Sequence, residues 1–387
     1  MKRELGHKIY QLCSTSLSHP ARKQRGGIPY DETHFITNFY PLKSHILLEE
    51  RIEGYTQLRV IDTNSTTSLK PNSHLVKFPE PIFTVRAFPS PMKYNSTEIF
   101  YELTSFTTPK SYYSYDIILE ALNSSKPWTL VAPNNAPISL VYRKNLFKKD
   151  GSNPLHLYGY GNYGLSFNPK FSSSIISLLD RGFVYAIAHV RGGSAMGVQW
   201  YKTEGKLLKK KNTFRDFSNA ARHLVAKNYT SPGKLSVEGA SAGGLLVGAA
   251  INLNPGLFNA AIMKVPYVDI INAMRDPTVS LTIDEYTELG DPNTKEVFDY
   301  IMSYSPYENL PKSGQGLPHL YIGYGFNDPR VEYWAPVKYV ARLRATLARS
   351  LTAYTKHILQ YIDMGRATPA PRGDIVCSGK LPKSVPS

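Results

Sequence analysis

The segment Gly239-Ala240-Ser241-Ala242-Gly243-Gly244 constrains this chain more than any other. It follows LSVE, a short run that reads as a strand, and opens GGLLVGAAINL, an apolar stretch that reads as a helix. A strand that turns into a helix this abruptly brings two backbones close together, which only very small residues allow. Gly239 and Gly243 meet that need, and Ser241 projects its hydroxyl at the helix N-terminus. There the N–H of Ala242 can stabilise an oxyanion. Residue types and context together point to a nucleophilic serine on a sharp turn.

The surrounding sequence supplies a scaffold for such a turn. From about residue 137 strand-like runs alternate with helix-like ones: PISLVYRK, LHLYGYG, then FSSSIISLLDRG; FVYAIAHV, then NTFRDFSNAARHLVAKN. KLSVEGAS, AGGLLVGAAINLNPG, AAIMKVPYV, HLYIGYG, WAPVKYVARLRATLAR and KHILQYIDM continue the series. This order predicts a mostly parallel sheet covered on both faces, the fold class of an α/β-hydrolase. In that fold the triad acid follows the serine on a loop after a later strand. Asp328, in GFNDPRV directly after LPHLYIGYG, lies 87 residues beyond Ser241 and fits the role. Taken alone, the Asn-Asp-Pro stretch is a turn whose Asp caps the next helix.

Before the Pro-rich stretch VAPNNAP the texture differs. HILLEERIEG and YTQLRVID read as two strands around Gly54, and IFTVRAF, EIFYELTSF, YYSYDIIL and WTLVA follow. The roughly 10-residue cadence without helical period indicates β-meanders such as propeller blades. These runs cannot supply a whole propeller, so a few blades that do not close are expected.

Composition narrows the function classes. Two cysteines, Cys13 and Cys377, give neither a disulfide framework nor a metal cluster, and a reducing compartment follows by default. No apolar run approaches the roughly 18 residues of a membrane span, and the N-terminus lacks the apolar stretch of a signal peptide. A soluble cytoplasmic protein is expected, with no membrane partner and no cofactor. The net charge of +15 includes the run GKLLKKKN, Lys206 to Lys211, which reads as a solvated helix end. No nucleic-acid motif accompanies it, so nucleic acid is not an expected partner.

Several long segments resemble the prolyl oligopeptidase family, most closely its oligopeptidase B branch. They include LYGYGNYGLSFNPKFSSSIISLLDRGFVYAIAHVRGGSAMGVQWY, KLLKKKNTFRDF, YTSPGKLSVEGASAGGLLVGAAIN and GFNDPRV. The resemblance runs from about residue 36 to Met364. It implies a β-propeller capping an α/β-hydrolase domain, with short peptides as substrates. The implied layout is a divergent segment over 1–35, a partial propeller over 36–134, the hydrolase over 135–364 and a divergent tail over 365–387. By motif, Ser241 resembles the nucleophile and Asp328 the triad acid. Tyr160 resembles the hydroxyl donor that shares the oxyanion hole with Ala242, and Arg330 an arginine that contacts bound peptide. SLTIDEYTELGDPN resembles the oligopeptidase B stretch whose glutamates bind a basic side chain before the scissile bond. Glu285 and Glu288 stand there, while Thr287 occupies an often acidic position. Asp284 and Glu285 also read simply as first-turn helix charges.

The resemblance stops where the triad histidine should stand. After Ile362-Asp363-Met364 the family has a Gly-His-Gly-like loop, whereas this sequence continues GlyArgAlaThrProAlaPro, and no histidine follows His357. His357 opens the last strand rather than following it, and His189 and His319 read as structural. KRELGHKIYQL resembles an early propeller strand and HFITNFYPLKSHILLEE a much later one, so a truncated member of weak hydrolytic competence is expected. A non-catalytic relative acting as a binding or regulatory module and an esterase of the same fold are the alternatives.

Overall fold

The structure is a computed structural model that describes residues 12–14, 25–28, 34–63, 72–88, 92–117, 130–131, 136–311, 316–348 and 356–365. Its first part is built of strands. β1 (Leu12–Ser14) pairs antiparallel with β2 (Arg25–Ile28). A four-stranded meander comprises β3 (His34–Pro41), β4 (His45–Ile52), β5 (Tyr55–Asp62) and β6 (Ser73–Leu75). The β4–β5 turn falls on Glu53 and Gly54, both left-handed, as the hairpin around Gly54 requires. A three-stranded sheet follows, of β7 (Thr84–Ala87), β8 (Glu98–Thr104) and β9 (Ser111–Asp116). Leu47, Leu58, Val60, Val85, Ile99 and Leu103 point inward from these two sheets into one shared core. They are the blade-like units that the cadence predicts.

The larger unit is an eight-stranded sheet. Its strands are β10 (Leu130–Val131), β11 (Pro137–Tyr142), β12 (Leu155–Tyr158), β13 (Val184–Ala188), β14 (Leu235–Ala240), β15 (Ala260–Lys264), β16 (His319–Gly325) and β17 (Ile358–Asp363). Their order is β10-β11-β13-β12-β14-β15-β16-β17, parallel from β13 to β17. The strand in WTLVA therefore pairs with β11 rather than with the small sheets. A two-residue strand carries too little composition to reveal its partner, and hydrogen bonding alone assigns it.

The helices are α1 (Ser173–Leu179), α2 (Val198–Lys202), α3 (Lys211–Ala226), α4 (Ala242–Leu253), α5 (Ile270–Met274), α6 (Thr282–Leu289), α7 (Lys295–Met302) and α8 (Trp334–Ala348). Among the described residues no helix is long and apolar enough to cross a membrane. One face of the sheet, with Leu157, Ala186, Val237 and Ile322, packs against Phe214 and Phe217 of α3 and Leu245 and Leu246 of α4. Buried apolar area of this kind is the main term holding the layers together. The register puts Glu238 on the opposite face, where it accepts bonds from His156 at 3.2 Å and Lys264 at 2.7 Å. Burial alone would push the Glu238 carboxyl up, yet His156 and Lys264 hold it down at about 2.

Because six neighbouring strands run parallel, their C-terminal ends share one edge. The chain leaves β12, β14, β16 and β17 there, just before Tyr160, Ser241, Asp328 and the segment after Met364. Open parallel sheets place their ligands at this edge. Phe217 is fully buried directly behind it and presses on Gly159. Phe217→Ala should therefore destabilise the protein by about 3–5 kcal/mol in chemical denaturation. A loss below about 1 kcal/mol would contradict the packing of α3 as core.

Candidate active site

Ser241 is held between the last residue of β14 and the first of α4 with φ +55° and ψ −120°. A non-glycine residue so placed stores on the order of 1–3 kcal/mol and persists only where its surroundings dictate it. Here they do. Its N–H donates to the Lys264 carbonyl at 2.9 Å, and its carbonyl accepts from the Tyr267 N–H at 3.1 Å. A Cβ on Gly239 would stand 2.1 Å from the Gly243 oxygen, and one on Gly244 would stand 2.5 Å from Pro266. The glycines thus permit the close approach on which the turn at Ser241 depends.

The second wall is the loop after β12, residues 159–164. The Tyr160 phenol lies near enough to the Ser241 side chain for the serine to favour its ionised form. Burial, followed by the nearby Glu285 charge, pushes the Tyr160 phenol up to about 12, so it remains a proton donor at neutral pH. Asn162 Nδ2 donates to the Tyr160 carbonyl at 3.2 Å and to the Ala242 carbonyl at 3.3 Å, tying this loop to the first turn of α4. The Ala242 N–H belongs to that turn and has no acceptor within the helix. A hydroxyl on a strained elbow, flanked by a phenol and a free helix N–H, is an arrangement suited to acyl transfer.

Behind the loop lies a buried set of charges. Both Glu285 and Glu288 come from α6, and both point inward. Glu285 Oε1 accepts from the Tyr163 hydroxyl at 2.6 Å. Its Oε2 is buried and has no hydrogen-bond partner among the described residues. Burial pushes the Glu285 carboxyl up. Glu288 is spent internally: Oε1 accepts from Lys210 Nζ at 3.0 Å and from the Tyr163 N–H at 3.1 Å, and Oε2 from the Tyr201 hydroxyl at 2.8 Å. Thr287 is exposed and turns its hydroxyl back onto the Asp284 carbonyl.

Lys210 corrects a sequence expectation. The run from Lys206 to Lys211 reads as a solvated helix end, yet Lys210 is 0% exposed. An internal carboxylate and two carbonyls satisfy its ammonium, which is how a buried charge survives. Nothing in a run of lysines marks which member turns inward. Asn162 and Tyr163 are equally silent in the sequence, since no motif singles out either of them.

Asp328 follows β16, at the same sheet edge as Ser241 and two strands away, roughly 10 Å at ordinary strand spacing. Its Oδ1 accepts from the N–H groups of Arg330 and Val331 at 2.8 and 2.9 Å. Arg330 is exposed, and its charge is felt at Tyr160. The start of the loop after β17 lies beside Asp328: the Phe326 N–H donates to the Asp363 carbonyl at 2.9 Å, and Asn327 Nδ2 to the Met364 carbonyl at 3.4 Å. The position expected for a triad histidine falls just past this point, outside the described residues. The histidines that are described sit elsewhere. His189 is buried with the Ser139 hydroxyl at 2.7 Å. His156 is committed to Ser236 and Glu238. His319 and His357 meet at the opposite end of the sheet, where His319 Nδ1 accepts the His357 N–H.

Comparisons with known proteins bear on the family. The family model described as "Prolyl oligopeptidase family" matches residues 169–361, and "Prolyl oligopeptidase, N-terminal beta-propeller domain" matches 2–126. The chain is 37% identical to Protease 2 of Moraxella lacunata over 85% of its own length and 49% of that protein. It is 38% identical to dipeptidyl aminopeptidase BI of Pseudoxanthomonas mexicana, over 88% of its own length and 48% of that protein. Oligopeptidase B from Trypanosoma brucei, solved with covalently bound antipain, superposes with a TM-score of 0.75 at 36% identity. That match covers 90% of this chain and 51% of the other. The chain thus spans about half the length of the curated relatives it matches.

The elbow is directly testable. Gly239→Ala should lower the melting temperature and cost at least the roughly 1–3 kcal/mol of an overpacked core. Gly233→Ala, where nothing lies within 4 Å, should be nearly neutral. Equal melting of the two variants would contradict the tight turn.

Proposed function

Because the chain belongs to the prolyl oligopeptidase family, we propose that it is a serine-type oligopeptidase cleaving short peptides after basic residues through an acyl-enzyme. The carrying observation is Ser241, left-handed at the strand–helix elbow, with the Tyr160 phenol near enough to its side chain for each to act on the other. In this reading the Ser241 oxygen attacks the scissile carbonyl, whose oxygen takes up the negative charge. The Tyr160 hydroxyl and the Ala242 N–H donate to that oxygen. Asp328 takes the place of the triad acid, although no histidine follows His357 for it to orient, and Arg330 contacts the bound peptide.

Glu285 supports the preference for a basic residue. A desolvated Arg or Lys head would give its unpartnered Oε2 a charge-assisted hydrogen bond. Such bonds contribute about 1.5–3 kcal/mol, or roughly 10- to 100-fold in rate between basic and neutral substrates.

The proton of Ser241 needs an acceptor, and among the described residues no histidine is hydrogen-bonded to the Ser241 side chain. In the chain of 387 residues we propose slow hydrolysis, since general-base help contributes about 10²–10⁴-fold. The same observation favours a second reading, in which the cleft binds peptides without cleaving them.

Both readings are open to test. A fluorophosphonate should label the protein at Ser241, and Ser241→Ala should abolish labelling and any cleavage. Glu285→Gln should remove the preference for Arg- over Ala-containing peptides, chiefly through KM. Because the Glu285 carboxyl is pushed up, that preference should fade with acid at a pH above the ordinary glutamate value of about 4.3. The glutamine variant should show no such limb. Cleavage that survives Ser241→Ala, or a preference unchanged in Glu285→Gln, would overturn the proposal. Peptide binding without labelling would leave the non-cleaving reading in its place.

A further inference from the structure

The loop that carries Tyr160 is an unfavourable piece of backbone. Gly161, Tyr163 and Gly164 are all left-handed, with φ of +72°, +56° and +66°. Glycine adopts this region freely, but tyrosine does so at a cost. Something outside the loop must therefore hold it.

Two partly independent contacts do so, and both end on one buried ion pair. Lys210 Nζ donates to the Gly161 carbonyl at 2.9 Å, one residue past Tyr160. The same ammonium meets Glu288 Oε1 at 3.0 Å, and that oxygen accepts the Tyr163 N–H at 3.1 Å. The pair thus grips the loop by a carbonyl and an N–H two residues apart, on either side of Asn162. Asn162 in turn bonds the carbonyl of Ala242, the other oxyanion donor. Both members are nearly inaccessible, with side chains 0% and 2% exposed. Burial pushes the Lys210 amine down while the Glu288 charge opposes that shift. Every Glu288 oxygen already has an internal donor, which leaves Glu285 to face an incoming cation.

We infer that Lys210 and Glu288 are positioning residues for the oxyanion hole, an internal ion pair that fixes the Tyr160 hydroxyl over Ser241 and takes no part in substrate recognition. The inference rests on the proposed roles of Ser241 and Tyr160. It gives the two glutamates of α6 different roles, with Glu285 facing substrate and Glu288 holding the loop. Simple stabilisation of the fold does not require the pair, since buried ion pairs are often replaceable by apolar side chains without loss of stability.

The experiment is the saturable labelling of Ser241 by an alkyl fluorophosphonate, in the wild-type chain, in Lys210→Met/Glu288→Gln, in Tyr160→Phe and in the triple variant. The double substitution removes both charges and so leaves no lone ion in the core. Thermal melting identifies folded material. The maximal labelling rate of the double variant should fall on the order of 10-fold or more, approaching the roughly 10²–10³-fold cost of deleting an oxyanion donor. The half-saturating concentration should stay within about 2-fold, because reagent binding is not at stake. On the Tyr160→Phe background the double substitution should have no further effect, since residues acting through one donor are non-additive. Should the double variant fail to fold, Glu288→Gln alone must show the same split, because it keeps the packing volume. A folded variant that labels at the wild-type rate would overturn the inference, as would an effect that multiplies in full with Tyr160→Phe. If the wild-type chain does not label at Ser241, the functional reading itself fails and takes this inference with it.

Discussion

The contact between Gly239 and the Gly243 carbonyl is the constraint from which the rest of the site follows. A side chain on Gly239 would sit 2.1 Å from that oxygen, so β14 can turn into α4 at Ser241 only with glycine there. The reversal strains the serine backbone and leaves its hydroxyl without a capping bond to the helix. It also leaves the first N–H groups of α4 facing the space above the sheet edge, where a helix N-terminus favours negative charge. The sheet bears the strain because α4 is buried along most of its length, with Leu245, Leu246 and Val247 at 0% exposure. Packing on that scale exceeds the cost of one residue in an unfavourable conformation.

The surrounding loops are fastened by charge rather than by apolar contact. Arg191, after β13, is gripped by Asp216 of α3 through Oδ1 at 2.6 Å and Oδ2 at 2.8 Å. Lys210 and Glu288 hold the loop after β12. Such pairs are costly to desolvate, but they have defined geometry, which an aliphatic contact lacks. Rigid donors that need not reorganise are what stabilise developing charge most effectively.

Much of this is legible in the sequence. The parallel strands are short apolar runs because both of their faces are covered, and their alternation with helices implies the sheet without any spatial information. Ser241 is legible because the elbow is local: the residues that make it tight lie within five positions. Asp328 stands out at the end of a strand after the elbow, and Tyr160 through the family resemblance alone. What the sequence does not reveal depends on distant partners. Lys210 lies in a run of lysines, and its burial is decided by a carboxylate 78 positions away. Glu285 and Glu288 look alike in SLTIDEYTELGDPN, and their surroundings part only when one is seen paired with Lys210 and the other is not. The strand in WTLVA reads as part of the blades because two residues carry no signature of the sheet they join.

The central claim is that Ser241, Tyr160 and Ala242 form one preorganised oxyanion site held by the residues behind them. The most direct measurement is a crystal structure of the fluorophosphonate adduct on Ser241. The account predicts the phosphonyl oxygen about 2.7–3.1 Å from both the Tyr160 hydroxyl and the Ala242 N–H, with Tyr163 still left-handed and Lys210 still on the Gly161 carbonyl. A phosphonyl oxygen turned away from Tyr160, or a loop rearranged to reach it, would contradict the claim.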